Sequence, residues 1–381
     1  MMHVSVEHIA FVAYLDSLLL ESRARGGTPP RAELPETLNR LHAQAMREHD
    51  RPNALLFREG GEWRSTPDWR FDRQIIRLAL YLRERLGIEP GERIAVISEL
   101  RPEWLIADLA ALGLGAVSVA IDPRLRGEAL VTALEDAAPR VTFASPAVQG
   151  LLERLDGGAP PYGELVSLGP STARIEAAPL DAWLELGGTL DTPERAQSFR
   201  ALARELGPER PAVRHYRQGP AGWERLELTQ GESIGRLRAV GLHEAARPGD
   251  LAYVSDPAVS PATRLALYAF LGDGYTTTAL APAGLEVSDL AALHPTRIVA
   301  PAAGLADVVR AGDASAEAGP GSGGWLRRQA RSRASQRALR ESLGGRARWI
   351  GSTDRLDAAL AERLGSIAVV ADTELNLGGA V

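Results

Sequence analysis

Short apolar runs alternate with longer amphipathic segments along most of the chain, and this alternation predicts parallel β-sheets covered by helices. Arg93–Ser98, Ala116–Ile121 and Arg140–Ala144 are mainly apolar runs of the kind found in strands that are buried on both faces. The segments between them, Trp104–Leu114 and Gly127–Ala138, have helical periodicity. Short strands joined by single helices indicate right-handed crossover connections within one parallel sheet.

The same rhythm returns later in the chain and predicts a second sheet. Its predicted strands are Leu251–Val254, Tyr275–Leu280, Arg297–Ala300, Arg346–Ile350 and Ile367–Val370, and its predicted helices are Pro261–Leu271, Val287–Leu293, one beginning at Leu305, and Arg355–Leu364. The sequence therefore predicts an α/β protein with two parallel-sheet subdomains, at about residues 62–210 and 211–381. Residues 146–210 are predicted to connect the sheets, and the Gly-, Ala- and Ser-rich segment 311–324 is predicted to be a mobile loop.

The first part of the chain is predicted to hold a separate helix. Val4–Arg23 has helical periodicity and is followed by glycines and prolines, so residues 1–30 are predicted to be an N-terminal helical unit ahead of the domain at 31–381. Asp16 interrupts its apolar stretch, which is too short to span a bilayer, and no basic segment of a secretion signal precedes it. This helix packs on its own domain or on a second copy, or it makes peripheral contact with a membrane surface. Helices at Leu34–His49 and Pro67–Leu86 and a strand pair at residues 53–64 are predicted to follow.

Composition and charge exclude several kinds of chemistry. The chain has 381 residues, a formal net charge of −6 and no cysteine, which excludes disulfides and thiol catalysis and is consistent with a cytoplasmic location. The negative charge gives no reason to expect nucleic acid as a partner. All 43 basic residues are arginine, so a lysine Schiff base, a lysine general base and a lysine phosphate contact are excluded as well. Eight arginines fall in residues 325–348, which indicates either a solvated helix face or a contact with phosphate or anionic lipid.

Three segments carry a resemblance to a known family. The segments are P-G-E-R-I-A-V-I-S-E at 90–99, R-P-E-W-L-I-A-D-L-A-A-L-G-L-G-A-V-S-V at 101–119, and L-E-D-A-A-P-R-V-T-F-A at 134–144. They resemble the N-terminal part of long-chain fatty-acid-CoA ligases and other adenylate-forming enzymes, and the resemblance runs almost unbroken across residues 62–145. It implies the α/β N-terminal domain of an acyl-CoA ligase. It also implies a chemistry in which a carboxylate attacks the α-phosphate of ATP and the acyl group is then transferred to coenzyme A.

The family's phosphate loop, of the form Y-T-S-G-T-T-G-x-P-K-G followed by L-T-H, corresponds here to Tyr216–Gln230. Such a loop holds the triphosphate with backbone N–H groups, hydroxyls and a lysine. Here the hydroxyl positions have become Arg217, Gln218, Pro220 and Ala221. The residues that would still form a degenerate nucleotide site are Tyr216, Gly219, Gly222, Arg225 at the lysine position, and Thr229.

The other family signatures are altered too. The segment P-L-S-H, whose histidine lies near the acyl-adenylate, corresponds to residues 255–258 and has Ala258 in place of histidine. The metal-binding glutamate of G-Y-G-x-T-E falls on Leu377 without a gap, whereas a three-residue gap makes Glu374 a weak metal candidate. The sequence ends at Val381, so the C-terminal lid domain of the family is expected to be absent.

These changes lead to three functional expectations. We expect a non-catalytic homologue, or pseudoenzyme, of an AMP-forming fatty-acyl-CoA ligase that acts as a binding or assembly partner, with no catalytic residues. The alternatives are a weak or in-trans-completed acyl-adenylating ligase and a module that binds an acyl ligand. No cofactor is expected, with ATP and Mg possible only if the degenerate loop still binds. The expected partners are another protein or a second copy of this chain.

Overall fold

The computed structural model describes residues 34–41, 43, 51–155, 161–170, 173–219, 222–240, 246–317 and 325–371. Its strands are β1 (Leu55–Glu59), β2 (Glu62–Thr66), β3 (Arg93–Ile97), β4 (Val117–Ile121), β5 (Val141–Ala144), β6 (Glu164–Ser167), β7 (Ala178–Pro179), β8 (Pro211–Gly219), β9 (Gly222–Thr229), β10 (Leu251–Val254), β11 (Thr277–Leu280), β12 (Arg297–Ala300), β13 (Trp349–Ser352) and β14 (Val369–Ala371). Its helices are α1 (Asp68–Leu86), α2 (Pro102–Gly113), α3 (Gly127–Ala137), α4 (Pro146–Leu152), α5 (Leu180–Leu190), α6 (Pro193–Glu205), α7 (Gln230–Val240), α8 (Pro261–Gly272), α9 (Val287–Leu293), α10 (Ala302–Glu317), α11 (Trp325–Ser342) and α12 (Ala358–Gly365).

These elements form two seven-stranded sheets with the same pattern of strand directions. The first sheet has the order β7-β6-β5-β3-β4-β8-β9 and the second has the order β14-β13-β12-β10-β11-β1-β2. In each sheet neighbouring strands run parallel, except for the last pair, which is antiparallel: β8 with β9 and β1 with β2. The predicted α/β class with two parallel-dominated sheets is confirmed. The alternation of elements along the chain was sufficient to predict it because the central strands, such as β4 and β5, are buried on both faces.

The two sheets divide the chain differently from the predicted ranges 62–210 and 211–381. The hairpin β8–β9 at residues 211–229 completes the first sheet, because β8 pairs with β4. The hairpin β1–β2 lies at residues 55–66, ahead of the first sheet in sequence, yet β1 pairs with β11 and completes the second sheet. The first sheet is therefore an insertion between β2 and β10 of the second.

Arg51 secures this N-terminal hairpin to the second sheet. Its Nε and Nη2 donate to the carboxylate of Asp68 at 2.9 and 2.8 Å, and its Nη1 donates to the carbonyl oxygen of Thr276 at 2.8 Å. Both charged side chains are buried, so the pair joins the chain before β1 to the start of α1 and to the loop before β11.

Three helices lie between the sheets and form the central core. Apolar residues of α1, α2 and α8 pack in one cluster with Ile94 and Phe143 of the first sheet and with Val254 and Leu280 of the second. Every residue of α8 is buried. Helices α3 and α4 cover the outer face of the first sheet, and α9, α10, α11 and α12 cover the outer face of the second. Within the described ranges, no helix combines the length and apolarity needed to cross a bilayer.

Several local predictions are corrected by the structure. Residues 146–210 are not only a connection, because β6 and β7 extend the first sheet and α5 packs on α1. The predicted loop at 311–324 is helical as far as Glu317, as expected for a segment rich in alanine, the best helix former. The basic run 325–348 contains helix α11, whose Leu339 is buried while Arg333 and Arg337 are exposed. The predicted N-terminal helix at Val4–Arg23 lies outside the described residues.

A fully buried ion pair connects the two halves of the fold. Arg264 of α8 donates to the Asp108 carboxylate of α2, and Arg264 is 1% exposed while Asp108 is 0% exposed. Asp108 also accepts from the hydroxyls of Tyr268 at 2.7 Å and Ser118 at 2.6 Å. Arg264 Nη1 donates to Nε2 of His215 at 3.2 Å, and because a guanidinium has no acceptor, this contact requires Nε2 to be unprotonated.

Removing one member of this pair is expected to destabilise the protein strongly. Asp108→Ala leaves the Arg264 charge buried without a counter-ion, and we expect a loss of about 3–5 kcal/mol in the free energy of unfolding, measured by urea denaturation. The double variant Asp108→Leu/Arg264→Met removes both charges of this pair, and we expect it to lose less unfolding free energy than Asp108→Ala alone. Arg333→Ala, at an exposed position, is a control that changes stability by about 0.5 kcal/mol or less. A loss below about 1 kcal/mol in Asp108→Ala would contradict this role.

His215 is expected to make stability depend on pH. Burial, together with the positive charges of Arg264 and Arg217, holds the pKa of His215 well below its usual value of 6.5. Below about pH 6.5 the unfolded chain binds a proton at this histidine and the folded protein does not, so stability falls as the pH falls. The expected slope approaches about 1.4 kcal/mol for each pH unit.

His215→Gln keeps an acceptor for Arg264 but does not titrate, so the difference between the two proteins isolates the histidine. We expect unfolding free energies, measured from about pH 7 to about pH 5, to decline less steeply in the variant than in the wild type. Parallel curves for the two proteins would contradict the assignment.

Candidate functional site

The segment that resembles the phosphate loop is an antiparallel hairpin. β8 and β9 are in direct register from Val213 opposite Leu228 to Gly219 opposite Gly222. Residues 220 and 221 lie between the strands and outside the described ranges. On its other side β8 pairs with β4 as far as Tyr216. The described part of this segment therefore belongs to a sheet, and the two strands flank the residues between Gly219 and Gly222.

Ion pairs across the hairpin hold this register. Arg217 pairs with Glu224, with Nη2 2.8 Å from the carboxylate oxygen, and Arg214 pairs with Glu227 at 2.5 Å. The two residues of each pair are directly opposite each other in the ladder, where opposite charges stabilise a sheet. The sequence contained this signal, because these charges are placed symmetrically about positions 220 and 221.

Arg225, at the position of the family's lysine, is also paired. Its Nη1 lies 2.8 Å from the nearer carboxylate oxygen of Asp136 in α3, and the Tyr216 hydroxyl donates to the same oxygen at 2.5 Å. Burial works against ionisation of Asp136, but the hydrogen bonds from Tyr216 and Arg225 outweigh it and keep the Asp136 pKa below its usual value. Burial and the bond to Asp136 raise the pKa of Tyr216 to about 12. Tyr216 and Arg225, two of the five predicted nucleotide residues, thus both bind the carboxylate of Asp136.

Thr229 ends the hairpin and begins α7. Its hydroxyl accepts from the backbone N–H of Glu232 at 3.2 Å, and the Glu232 carboxylate accepts from the backbone N–H of Thr229 at 2.8 Å. This reciprocal arrangement is a capping box, which satisfies two backbone donors at a helix start. The hydroxyl predicted to contact a nucleotide is therefore used to begin a helix.

The segment that replaces P-L-S-H is a tight turn between β10 and α8. Asp256 is buried, and its carboxylate accepts from the backbone N–H groups of Ala258 at 3.0 Å and Ser260 at 2.8 Å, and from the Thr263 hydroxyl at 2.5 Å. Ala258 stands where the family has histidine. The buried hydroxyl of Ser255 has no hydrogen-bond partner among the described residues. This turn offers no imidazole and directs its one carboxylate toward its own backbone.

One charged pair beside the hairpin was missed by the sequence analysis. Arg124 binds the buried carboxylate of Asp122 through Nη2 at 2.8 Å, and the Asp122 backbone N–H donates to the Tyr216 carbonyl oxygen at 2.8 Å. The hydrogen bond to Asp122 and the charge of Asp256 raise the pKa of Arg124. Asp122 comes directly after β4, and an apolar strand followed by an acidic residue was the only signal available for it.

The predicted site residues fall into two groups. The first group lies on one hairpin, which contains Tyr216, Gly219, Gly222 and Arg225 and ends at Thr229. The structure therefore brings these residues together on two paired strands. Glu374 lies outside the described residues. Among the residues that the structure does describe, there is no group of three or more histidine, aspartate or glutamate side chains placed to hold a metal ion.

Comparison with known proteins agrees with this architecture. The family model described as "AMP-binding enzyme" matches residues 41–213 and thus ends before Tyr216. The long-chain-fatty-acid–CoA ligase FadD15 of Mycobacterium bovis is 28% identical over 195 residues, which cover 50% of this chain and 31% of that protein. The chain therefore spans less than a third of the length of this relative.

Solved structures share the fold at low sequence identity. The adenylation domain of the carboxylate reductase from Mycobacterium chelonae superposes with a TM-score of 0.65 at 19% identity, over 98% of this chain and 64% of that domain. A long-chain-fatty-acid CoA ligase structure from Rhodopseudomonas palustris gives a TM-score of 0.62 at 17% identity, over 88% of this chain and 74% of that one. Residues 41–213 therefore match the AMP-binding enzyme family, and the two sheets share the α/β fold of these solved adenylation-domain and ligase structures.

Proposed function

We propose that this chain is a non-catalytic relative of the AMP-forming acyl-CoA ligases and that its scaffold serves as a binding or assembly partner. The observation that carries the proposal is that the arginines of the hairpin β8–β9, the segment that resembles the family's phosphate loop, are paired with carboxylates. A triphosphate site needs both free backbone donors and positive charge.

The backbone of β8 is committed to the sheet on both sides as far as Tyr216 and on one side beyond it. A phosphate cradle needs consecutive N–H groups that point toward the ligand rather than toward a neighbouring strand. Between Val213 and Tyr216 the strand β8 has a partner on each side, β4 and β9, and from Arg217 to Gly219 it pairs with β9. A triphosphate that used the N–H groups facing β9 would have to displace strand pairing, and each buried donor or acceptor left unpaired costs about 1–3 kcal/mol.

The positive charge of the hairpin is cancelled locally. Arg214, Arg217 and Arg225 pair with Glu227, Glu224 and Asp136, so three positive charges meet three negative ones and the cluster is formally neutral. In the family the corresponding loop supplies a cation to a polyanion. Here an approaching phosphate would compete with a carboxylate for each arginine.

The two side chains that could replace the missing hydroxyls are engaged as well. Tyr216 donates to Asp136, and Thr229 accepts from Glu232 at the start of α7. Removing one well-placed electrostatic group from an active site commonly lowers the rate by a factor of about 10² or more. The joint loss of hydroxyls, a free cation and the histidine at Ala258 supports a scaffold without ligase activity.

Nucleotide binding is expected to be undetectable. In calorimetric titration and thermal-shift measurements, neither AMP nor ATP with Mg²⁺ should stabilise the chain, whereas a ligand at about 100 times its Kd would add about 2.7 kcal/mol. An active acyl-CoA ligase measured in parallel is the positive control. Because Glu224→Gln releases Arg217 but leaves the ladder in place, this variant should remain without nucleotide binding. A clear shift of the wild type with ATP, or pyrophosphate exchange with added fatty acids, would overturn the proposal.

The same panel should contain acyl-CoA and free fatty acids. Stabilisation by an acyl ligand without stabilisation by nucleotide would leave the chain non-catalytic but replace the assembly role by acyl binding. Stabilisation by none of these ligands is the result expected for a scaffold whose partner is another protein.

A further inference from the structure

A groove between α1 and α5 lies outside the site described above. The two helices run antiparallel, with the Tyr81 ring 4.7 Å from the Trp183 ring at one level and Arg73 paired with Asp191 at another. They approach so closely that a Cβ atom at Gly187 would come within 2.1 Å of the Arg77 carbonyl oxygen. The groove has a volume of about 550 Å³ and is lined by Trp69, Arg70, Arg73, Gln74, Arg77, Asp181, Leu184 and Glu185.

Some charged side chains in this groove form ion pairs and others do not. Arg73 and Arg77 share the single carboxylate of Asp191, at 2.6 and 3.3 Å. Within the described part of the chain, Arg70 has no ion-pair partner, and neither do Asp181 and Glu185. Arg70, Arg73 and Arg77 lie on α1, and the Asp191 carboxylate balances one of their three positive charges. Two positive charges therefore remain on α1, and Asp181 and Glu185 contribute two negative charges on α5. The surface therefore presents both signs in equal number, on opposite helices.

The same helices carry large apolar side chains that face solvent. Trp69 is 64% exposed and Leu186 is 47% exposed, and among the described residues Val287 is the one other exposed large hydrophobic side chain. Tryptophan and arginine are the residue types most enriched where binding energy is concentrated in protein interfaces. A single exposed tryptophan beside unpaired arginine and carboxylate groups is therefore a feature of a protein contact surface.

We propose that this groove binds the same groove of a second copy of the chain, so that two chains form a symmetric dimer. A two-fold axis that passes between Arg70 and the acidic pair Asp181 and Glu185 brings each Arg70 opposite the acidic pair of the other copy. The contact then occurs twice, and each copy's Trp69 is covered. A uniformly acidic or basic partner would instead meet like charge on one helix, which disfavours it. This inference does not depend on whether the chain binds nucleotide.

Charge exchange tests the pairing directly. The full chain is examined by sedimentation equilibrium and light scattering as wild type, Arg70→Glu, Glu185→Arg, and the double variant Arg70→Glu/Glu185→Arg. Each single variant places like charges opposite each other and should weaken the dimer Kd by about tenfold or more. The double variant again places opposite charges at positions 70 and 185, while Asp181 keeps its negative charge, so it should bind more tightly than either single variant.

Two further variants complete the test. Trp69→Ala should weaken the dimer without changing the charge, whereas Arg333→Glu, on the exposed face of α11, should leave the dimer Kd unchanged. Thermal melts establish that each variant is folded. A wild type that stays monomeric at all concentrations would overturn the proposal, and so would a double variant no tighter than the two single ones.

Discussion

The buried ion pair between Arg264 and Asp108 is the interaction on which the arrangement of the two sheets depends. A charge at 1% exposure requires a counter-charge and complete hydrogen bonding, and here both are supplied across the boundary between the sheets. Arg264 belongs to a helix that follows β10 of the second sheet, whereas Asp108 and Ser118 belong to α2 and β4 of the first. The guanidinium also lies 5.4 Å from the ring of Trp104, which fixes its orientation further.

This network reaches the hairpin through one residue. His215 accepts from Arg264 in the core, and its neighbour Tyr216 points to the other face of the strand, where its hydroxyl donates to Asp136. β8 is therefore held from both faces, by a buried cation on one side and by the α3 carboxylate on the other. The ion pairs farther along the hairpin extend an arrangement that the core already fixes, so the closed form is a property of the whole domain.

Local pattern predicted the elements well, and pairing between distant strands explains most of what it could not predict. Strands such as β10 and β12 were predicted with their observed bounds because their residues are buried on both faces and all but Arg297 are apolar or aromatic. The partnership of Leu55 with Thr278 joins residues far apart in sequence, and no periodicity in either segment specifies it. The segment at Gly312 was predicted as a loop from its glycine and serine content, but its alanines favour a helix, and this helix passes close to the backbone of Leu339.

The pairing of the hairpin was not predicted for a different reason. The opposed charges at residues 214, 217, 224 and 227 indicate strand pairing, but the segment was interpreted through its resemblance to a family loop, to which the glycines at 219 and 222 contribute. The fold and the site differ in how much sequence change they accept. A core keeps its architecture with any apolar residues of suitable volume, as the TM-score of 0.65 at 19% identity illustrates, whereas a phosphate cradle needs particular atoms at particular places.

The closed hairpin also has a consequence for how this lineage can change. A threonine at position 217 would break the pair with Glu224, yet the backbone donors that should accompany the new hydroxyl would still belong to the ladder. The same holds for a hydroxyl at position 218, opposite Trp223 in the register. Neither substitution alone supplies both a hydroxyl and the backbone donors that should accompany it. A working phosphate loop would therefore require several changes of this hairpin together.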